Sequence, residues 1–105
     1  MPVARRSEIW QVDLGMVAKV RPAMILNVPF HDNERAVFEI VPHTTAVRGT
    51  RFEVAIVVPG LEAGAFDAQG LRNVPASVLL RKLGAITPAQ LAQVEDAVKR
   101  WLGFI

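Results

Sequence analysis

A helix signal stands once in this sequence, at its end. Thr87 offers an N-cap hydroxyl, Pro88 suits the first helical position, and Gln90, three residues after Thr87, completes a capping box. Leu91, Val94, Val98, Trp101, Leu102 and Ile105 then recur at helical spacing and mark one apolar stripe, with Trp101 as a core or interface residue. Glu95 and Lys99 form an expected i,i+4 pair, Lys99 and Arg100 suit the dipole at the C-terminal end, and Gly103 is a plausible stop. The residues ahead of this helix must therefore build a sheet for it to cover.

Their pattern agrees. EIWQVDL (8–14) alternates, with Trp10, Val12 and Leu14 on one side and Ile9, Gln11 and Asp13 on the other. Residues 21–28 carry the continuous run Ala23, Met24, Ile25, Leu26, as expected of a strand buried on both faces, with Pro22 tolerated near its start. Residues 31–35 read as a polar turn, 36–42 as a third strand, and 44–50 as a loop. Residues 51–58 give the clearest alternation, with Phe52, Val54, Ile56 and Val58 on one face, before the turn signal Pro59-Gly60. Two short strands are expected around residues 67–70, and residues 75–83 suit either a short helix or a strand. The pattern predicts a mainly β protein with a C-terminal helix, a small barrel-like sheet of about five to seven antiparallel strands.

A chain of 105 residues predicts one domain, spanning 1–105, small enough to gain stability by forming a homodimer. It has no cysteine, which removes disulfides and thiolate chemistry and fits a reducing compartment. No apolar run of signal-peptide or membrane-spanning length is present, so the expectation is a cytoplasmic protein with no membrane partner. A net charge of +2 is compatible with a polyanion partner.

Several chemistries lack their residues. His31 and His43 are the only histidines; both fall in or beside predicted loops, where a solvated surface role is the common one, and no metal site or other cofactor is expected. The glycines match no phosphate loop, and Ser7 and Ser77 lie in no nucleophile elbow. What remains is a cation-plus-hydroxyl set: Arg21 before Pro22, and Thr44-Thr45 after the third strand. RNA cleavage needs no metal when the substrate 2′-OH attacks, provided the protein aligns that hydroxyl, neutralises the nonbridging oxygens and manages two protons. An arginine fork suits the phosphate oxygens, and a threonine hydroxyl can bond the same atoms. Taken by residue type alone, Arg21 reads first as an ordinary strand-entry residue, and the threonines as ordinary loop hydroxyls.

Three ordered blocks carry a resemblance. Residues 6–14, RSEIWQVDL, are similar to the R-G-D/E-I/V-W-x-V-D-L opening of the MazF/PemK (Kid-like) type II toxin–antitoxin endoribonucleases. Residues 20–26, VRPAMIL, resemble that family's R-P strand; residues 41–45, VPHTT, with the later Phe52-Glu53-Val54, resemble its V-P-x-T-T block and F/H-E-V strand. The Leu83-Gly84 pair before the terminal helix agrees as well, so the likeness covers nearly the whole chain. It implies an SH3-like, CcdB-type barrel and a homodimer that cuts single-stranded RNA without metal. It also implies restraint by a small acidic antitoxin protein. Carried over by position, Arg21 and Thr44 are the catalytic pair. Thr45, His43, Asp67, Gln69 and Arg72 are expected at the substrate groove, with Trp10 as a stacking surface if it faces outward and a core residue otherwise.

Two places depart from the family pattern. The connection between the first two strands is only GMVAKV (15–20), without the glutamate and glutamine of the family's G-S-E-Q-G-like loop. The aspartate of its D-Q pair stands one place early, at Asp67 in DAQG. The alternative is a non-catalytic or gyrase-poison-like toxin on the same scaffold, acting by protein binding.

Overall fold

The computed structural model describes residues 4–17 and 19–105; Ala18, inside the 15–20 connection, lies outside the described residues. The strands are β1 (Glu8–Asp13), β2 (Val20–Ile25), β3 (Val37–Thr44), β4 (Glu53–Ala55), β5 (Ala65–Asp67), β6 (Arg72–Pro75) and β7 (Leu79–Ala85). The helix α1 (Pro88–Leu102) ends the fold. Short 3-10 turns at Ala68–Gly70 and Ala76–Val78 join β5 to β6 and β6 to β7. One seven-stranded sheet results, in the order β4-β5-β3-β2-β1-β7, with β6 also paired to β3. Every pairing is antiparallel.

Both faces of the sheet are covered, which explains the unbroken apolar run in β2. Ile9, Met24 and Val41 point into one cluster with Phe66, Ile86 and the helix residues Val94, Ala97 and Val98. Trp10, Val12, Ala23 and Ile25 point into a second with Phe38, Ile40, Val74 and Leu79. Full burial of each large apolar side chain contributes about 1.5–3 kcal/mol. These clusters therefore outweigh exposed ion pairs, which are worth roughly 0–1 kcal/mol.

Trp10 is 8% exposed and gives its indole N–H to Glu8 Oε1 at 3.1 Å, so it is a core residue with no open ring face for a base. Trp101 and Leu102 are nearly half exposed and Ile105 more so, so the apolar stripe sinks only its middle into the protein. Trp101 meets Phe52 edge to face at 5.3 Å. Glu95 pairs with Arg6 rather than with Lys99, and the i,i+4 pair on the helix is Arg100 with Asp96 at 2.9 Å. The 51–58 segment also differs from its reading. Phe52, Ile56 and Val58 are buried, yet only Glu53–Ala55 is strand, because its partner β5 is itself three residues long. Turns flank it, closed by Glu53 N–H to Thr50 O at 3.2 Å and Leu61 N–H to Val58 O at 3.0 Å.

The helix start follows its sequence signal: Thr87 Oγ1 accepts from Gln90 N–H at 3.2 Å and Gln90 Oε1 from Thr87 N–H at 2.9 Å. Gly103 ends the helix with φ of 81°. Replacing Thr87 with Ala is expected to lower unfolding free energy by about 1 kcal/mol, read from urea denaturation with an unchanged m-value. An unchanged midpoint would show that packing alone holds this end.

Candidate functional site

The site grows from the length of β3. The expected third strand stops at Pro42; the observed one continues through Thr44, so His43 and Thr44 are strand residues. The ladder between β2 and β3 pairs Ile25 with Ile40, Met24 with Val41 and Ala23 with Pro42. Arg21 and Thr44 each lie two residues beyond the last of these pairs, at the same end of the ladder, and both line one groove. Arg21 also shares its side of β2 with Ala23 and Ile25 by the period-2 rule, as Thr44 shares its side of β3 with Phe38 and Ile40. The polar pair thus continues, at the sheet's exposed end, the face that is apolar further in.

The other side of β3 supplies two more groups. Its early residues pair with β6, Ile40 opposite Arg72, while His43 and Thr44 pair with Phe66 and Ala65 of β5. Between those partners the chain leaves the sheet through the Ala68–Gly70 turn, which Asp67 caps by accepting Gln69 N–H at 3.0 Å. Asp67 and Arg72 stand at the two ends of this excursion. Glycine is required for the close approach: a Cβ at Gly70 would lie 2.5 Å from Pro42 Cγ, and one at Gly64 would lie 2.1 Å from Thr44 O.

The first residue of β4, which the sequence reading placed in the Phe52-Glu53-Val54 block but not in the site, organises the far wall. Glu53 accepts from Arg48 N–H at 3.1 and 3.0 Å through its two oxygens and from Thr50 N–H at 2.8 Å. These backbone donors, Arg48 foremost, hold its carboxyl below the ordinary range. Thr44 Oγ1 accepts from Ala46 N–H at 3.1 Å, which leaves the hydroxyl proton for another acceptor.

Two grooves meet at Arg21. One, of about 310 Å³, is lined by Arg21, Thr44, Arg48, Glu53, Asp67 and Arg72, among others. The second, of about 410 Å³, includes Arg21, Thr45, Gln11, Lys19, Glu62 and Arg81 in its lining. His43 borders both. The structure therefore gathers Arg21, Thr44, Asp67, Arg72, His43 and Thr45, while Gln69 lies exposed outside both linings and Trp10 is in the core. Gln11, Lys19, Arg48, Glu62 and Arg81 were not singled out from sequence. Gln11 and Arg81 carried a weak signal, as polar members of otherwise apolar strands; they face each other across β1 and β7, with Arg81 Nε donating to Gln11 Oε1 at 3.0 Å.

His43 is the main departure. Read as a solvated loop residue, it is 4% exposed, packs edge to face on Phe66 at 5.1 Å, and its Nε2 has no hydrogen-bond partner. Burial lowers its pKa, with the Glu62 carboxylate opposing that shift. Among the described residues, no three His, Cys, Asp or Glu side chains are grouped so as to hold a metal ion. No helix among them is long and apolar enough to cross a membrane.

A bent seven-stranded sheet with a terminal helix and an arginine–threonine pair at its open end has close relatives. Residues 5–102 match the family model of the PemK-like, MazF-like toxin of type II toxin–antitoxin systems. The chain belongs to this family. It is 33% identical, over a 109-residue alignment covering 90% of this chain and 92% of the relative, to Endoribonuclease MazF9 of Mycobacterium tuberculosis (strain ATCC 25618 / H37Rv). Its fold superposes at a TM-score of 0.84 on an endoribonuclease in complex with its cognate antitoxin from Mycobacterial species, 23% identical, covering 98% of each chain. A MazE–MazF structure from Deinococcus radiodurans gives 0.81 at 19% identity, again covering 98% of each chain. These neighbours share the mostly antiparallel sheet and C-terminal helix read from the sequence.

The buried imidazole of this MazF-like toxin gives its stability a defined pH dependence. With its folded pKa below the ordinary value of about 6.5, His43 takes up a proton in the unfolded chain at pH values where the folded protein stays neutral. Its contribution is whole above about pH 6.5 and is lost as pH falls from there toward the folded pKa, at no more than about 1.4 kcal/mol per unit. The wild-type urea midpoint is expected to fall between about pH 7 and pH 5, and the slope to flatten in His43→Leu. Equal slopes would assign the effect to another group.

Proposed function

We propose that this toxin is an endoribonuclease that cuts single-stranded RNA, mRNA included, without a metal ion, using the substrate 2′-OH as nucleophile. The observation that carries this reading is that Arg21 and Thr44, both just beyond the end of the β2–β3 ladder, line one groove. The name of the MazF9 relative supports the activity. Arg21 presents its planar donors to the nonbridging phosphate oxygens, and Thr44, its oxygen already accepting from Ala46 N–H, donates its hydroxyl proton to one of them. Arg48 and Arg72 hold flanking phosphates on one side, and Thr45 lies on the other.

The 2′-oxygen bonds to phosphorus as the bond to the 5′-oxygen breaks. Arginine, always charged, is a poor proton acceptor. Glu53 has both carboxylate oxygens tied to backbone N–H groups, whereas Asp67 accepts one such group, through Oδ1 alone, so Asp67 is the groove carboxylate that takes the 2′-OH proton. Water supplies the proton for the 5′-oxygen. The products are a 2′,3′-cyclic phosphate and a 5′-hydroxyl.

The same reading includes a two-fold homodimer and inhibition by a small acidic antitoxin protein. The antitoxin complexes among the structural neighbours support the second part. The exposed Met16, Val17, Trp101, Leu102, Phe104 and Ile105 supply apolar surface for such contacts. The arginines around the grooves would attract the acidic partner, in a binding that weakens with salt.

Incubation of the purified protein in EDTA with mixed-sequence RNA tests the chemistry: cleavage should persist, and a 2′-deoxy substitution at the cut site should abolish it. Arg21→Lys, which keeps charge but loses the fork, should lower the cleavage rate by roughly 10²–10³-fold, and Thr44→Ala by less. Full activity in a folded Arg21→Ala variant would remove this mechanism and favour a toxin acting by protein binding.

A further inference from the structure

The groove that Arg21 shares with Gln11, Lys19, Arg81 and Glu62 has a donor and acceptor layout that a phosphate track alone does not explain. β2, β1 and β7 are neighbours in the sheet, and Pro22, Gln11 and Arg81 stand side by side across them as one wall, with Arg21 next along β2 at the groove's border. That wall holds donors: the Arg81 guanidinium, fixed by its bond to Gln11 Oε1, and the Gln11 amide N–H₂. The turn after Val58, closed by Leu61 N–H on Val58 O at 3.0 Å, brings in a single carboxylate, Glu62. A site for phosphate alone gains nothing from a carboxylate, since like charges repel. Also bordering this groove is His43, buried and lowered in pKa, whose Nε2 finds no partner within the protein. A buried polar atom left unsatisfied is uncommon and costly.

We propose that this groove is a nucleobase subsite beside the cut and that Glu62 makes it selective for guanine. The inference rests on the endoribonuclease reading for its position, but its chemistry is that of the groove. A carboxylate has two acceptor oxygens side by side and matches a base edge with two adjacent N–H donors. Guanine, with N1–H and the 2-amino group, has that edge; adenine and cytosine set one donor beside an acceptor, and uracil has one donor between two acceptors. The remaining guanine acceptors, O6 and N7, match the Gln11 and Arg81 donors, as arginine commonly pairs with them. Bases in single-stranded RNA are splayed and open to such readout on their Watson–Crick edges. The volume of about 410 Å³ falls within the span of small-ligand sites.

The test uses the whole protein and short oligouridylates, 2′-O-methylated throughout and therefore uncuttable, each with one central G, A, C or inosine. Fluorescence anisotropy should show the G probe binding about tenfold more tightly than A or C, the scale of one good bidentate contact. Inosine, which lacks the 2-amino group, should fall between them. Glu62→Gln presents one acceptor and one donor in place of two acceptors; it should level the series while leaving oligouridylate binding intact or tighter. Equal wild-type affinities, or a guanine preference that survives Glu62→Gln, would overturn the subsite. Cleavage of matching unmodified RNAs separates the two readings. Cutting without guanine preference removes the subsite alone, guanine-selective binding without cutting removes the ribonuclease reading alone, and no binding to any probe together with no cutting of the unmodified RNAs removes both.

Discussion

The architecture depends on β3 having two partners along one edge. An eight-residue strand pairs early with β6 and late with β5, and the chain between those partners must leave the sheet and return. The turn that does this, Ala68–Gly70, passes over Pro42, a residue with no N–H to offer a neighbour, and only a glycine at position 70 lets the backbone come so near. The strand ends produced by this excursion are where Asp67 and Arg72 sit. On the opposite edge, β2 runs unbroken and brings Arg21 to the same level. Arg21, Thr44 and the Asp67/Arg72 pair, from three separate parts of the sequence, are thus placed by main-chain pairing, whose geometry is stiffer than that of any loop.

Fixed polar contacts then hold the charges of the site. Glu53 spends its carboxylate on the backbone of residues 48 and 50, which shapes the Arg48 loop. Asp67 is held by Gln69 N–H, and Arg81 by Gln11. Such prearranged dipoles act on developing charge without reorganising during the reaction. Exposed pairs like these add little to stability. Their effect is on geometry, while the two apolar clusters on either side of the sheet supply the folding free energy.

The helix, with both caps, was fully legible, because capping is local chemistry between residues three apart. The two-sided burial of β2 was legible from its unbroken apolar run, and the ordered R-P and T-T blocks pointed to Arg21 and Thr44. What the sequence hid is non-local. The alternation at 51–58 registers burial, and burial without a long enough partner strand does not make a ladder. The helix stripe registers helical spacing, but the sheet beneath ends before Trp101 and Ile105, which stay exposed. His43 looked like a loop residue because Pro42 suggested a strand end; in fact β3 continues with Pro42 facing the Gly70 turn. Arg81 and Lys19 were invisible as site residues because only the pairing of β7 with β1 and the close of the hairpin bring them to the groove.

The short connection between β1 and β2 bears on how such a site selects its substrate. Leu14 N–H bonds Lys19 O at 2.9 Å and Lys19 N–H bonds Gly15 O at 2.6 Å, with positive φ at Gly15 (93°) and Lys19 (61°). A non-glycine residue in that region is costly and is held there only by its surroundings. A turn pinned at both ends, with Met16 and Val17 standing out in solvent, is too short to fold back over the grooves as a long loop would. On the proposed ribonuclease reading, discrimination between RNA sequences then comes from the groove walls themselves. Arg21, at the base of this hairpin and on the border of both grooves, is on that reading a phosphate contact, which carries no sequence information. The groups that differ between the two grooves are the ones able to read bases, and in the larger groove the single anionic group among the cations is Glu62.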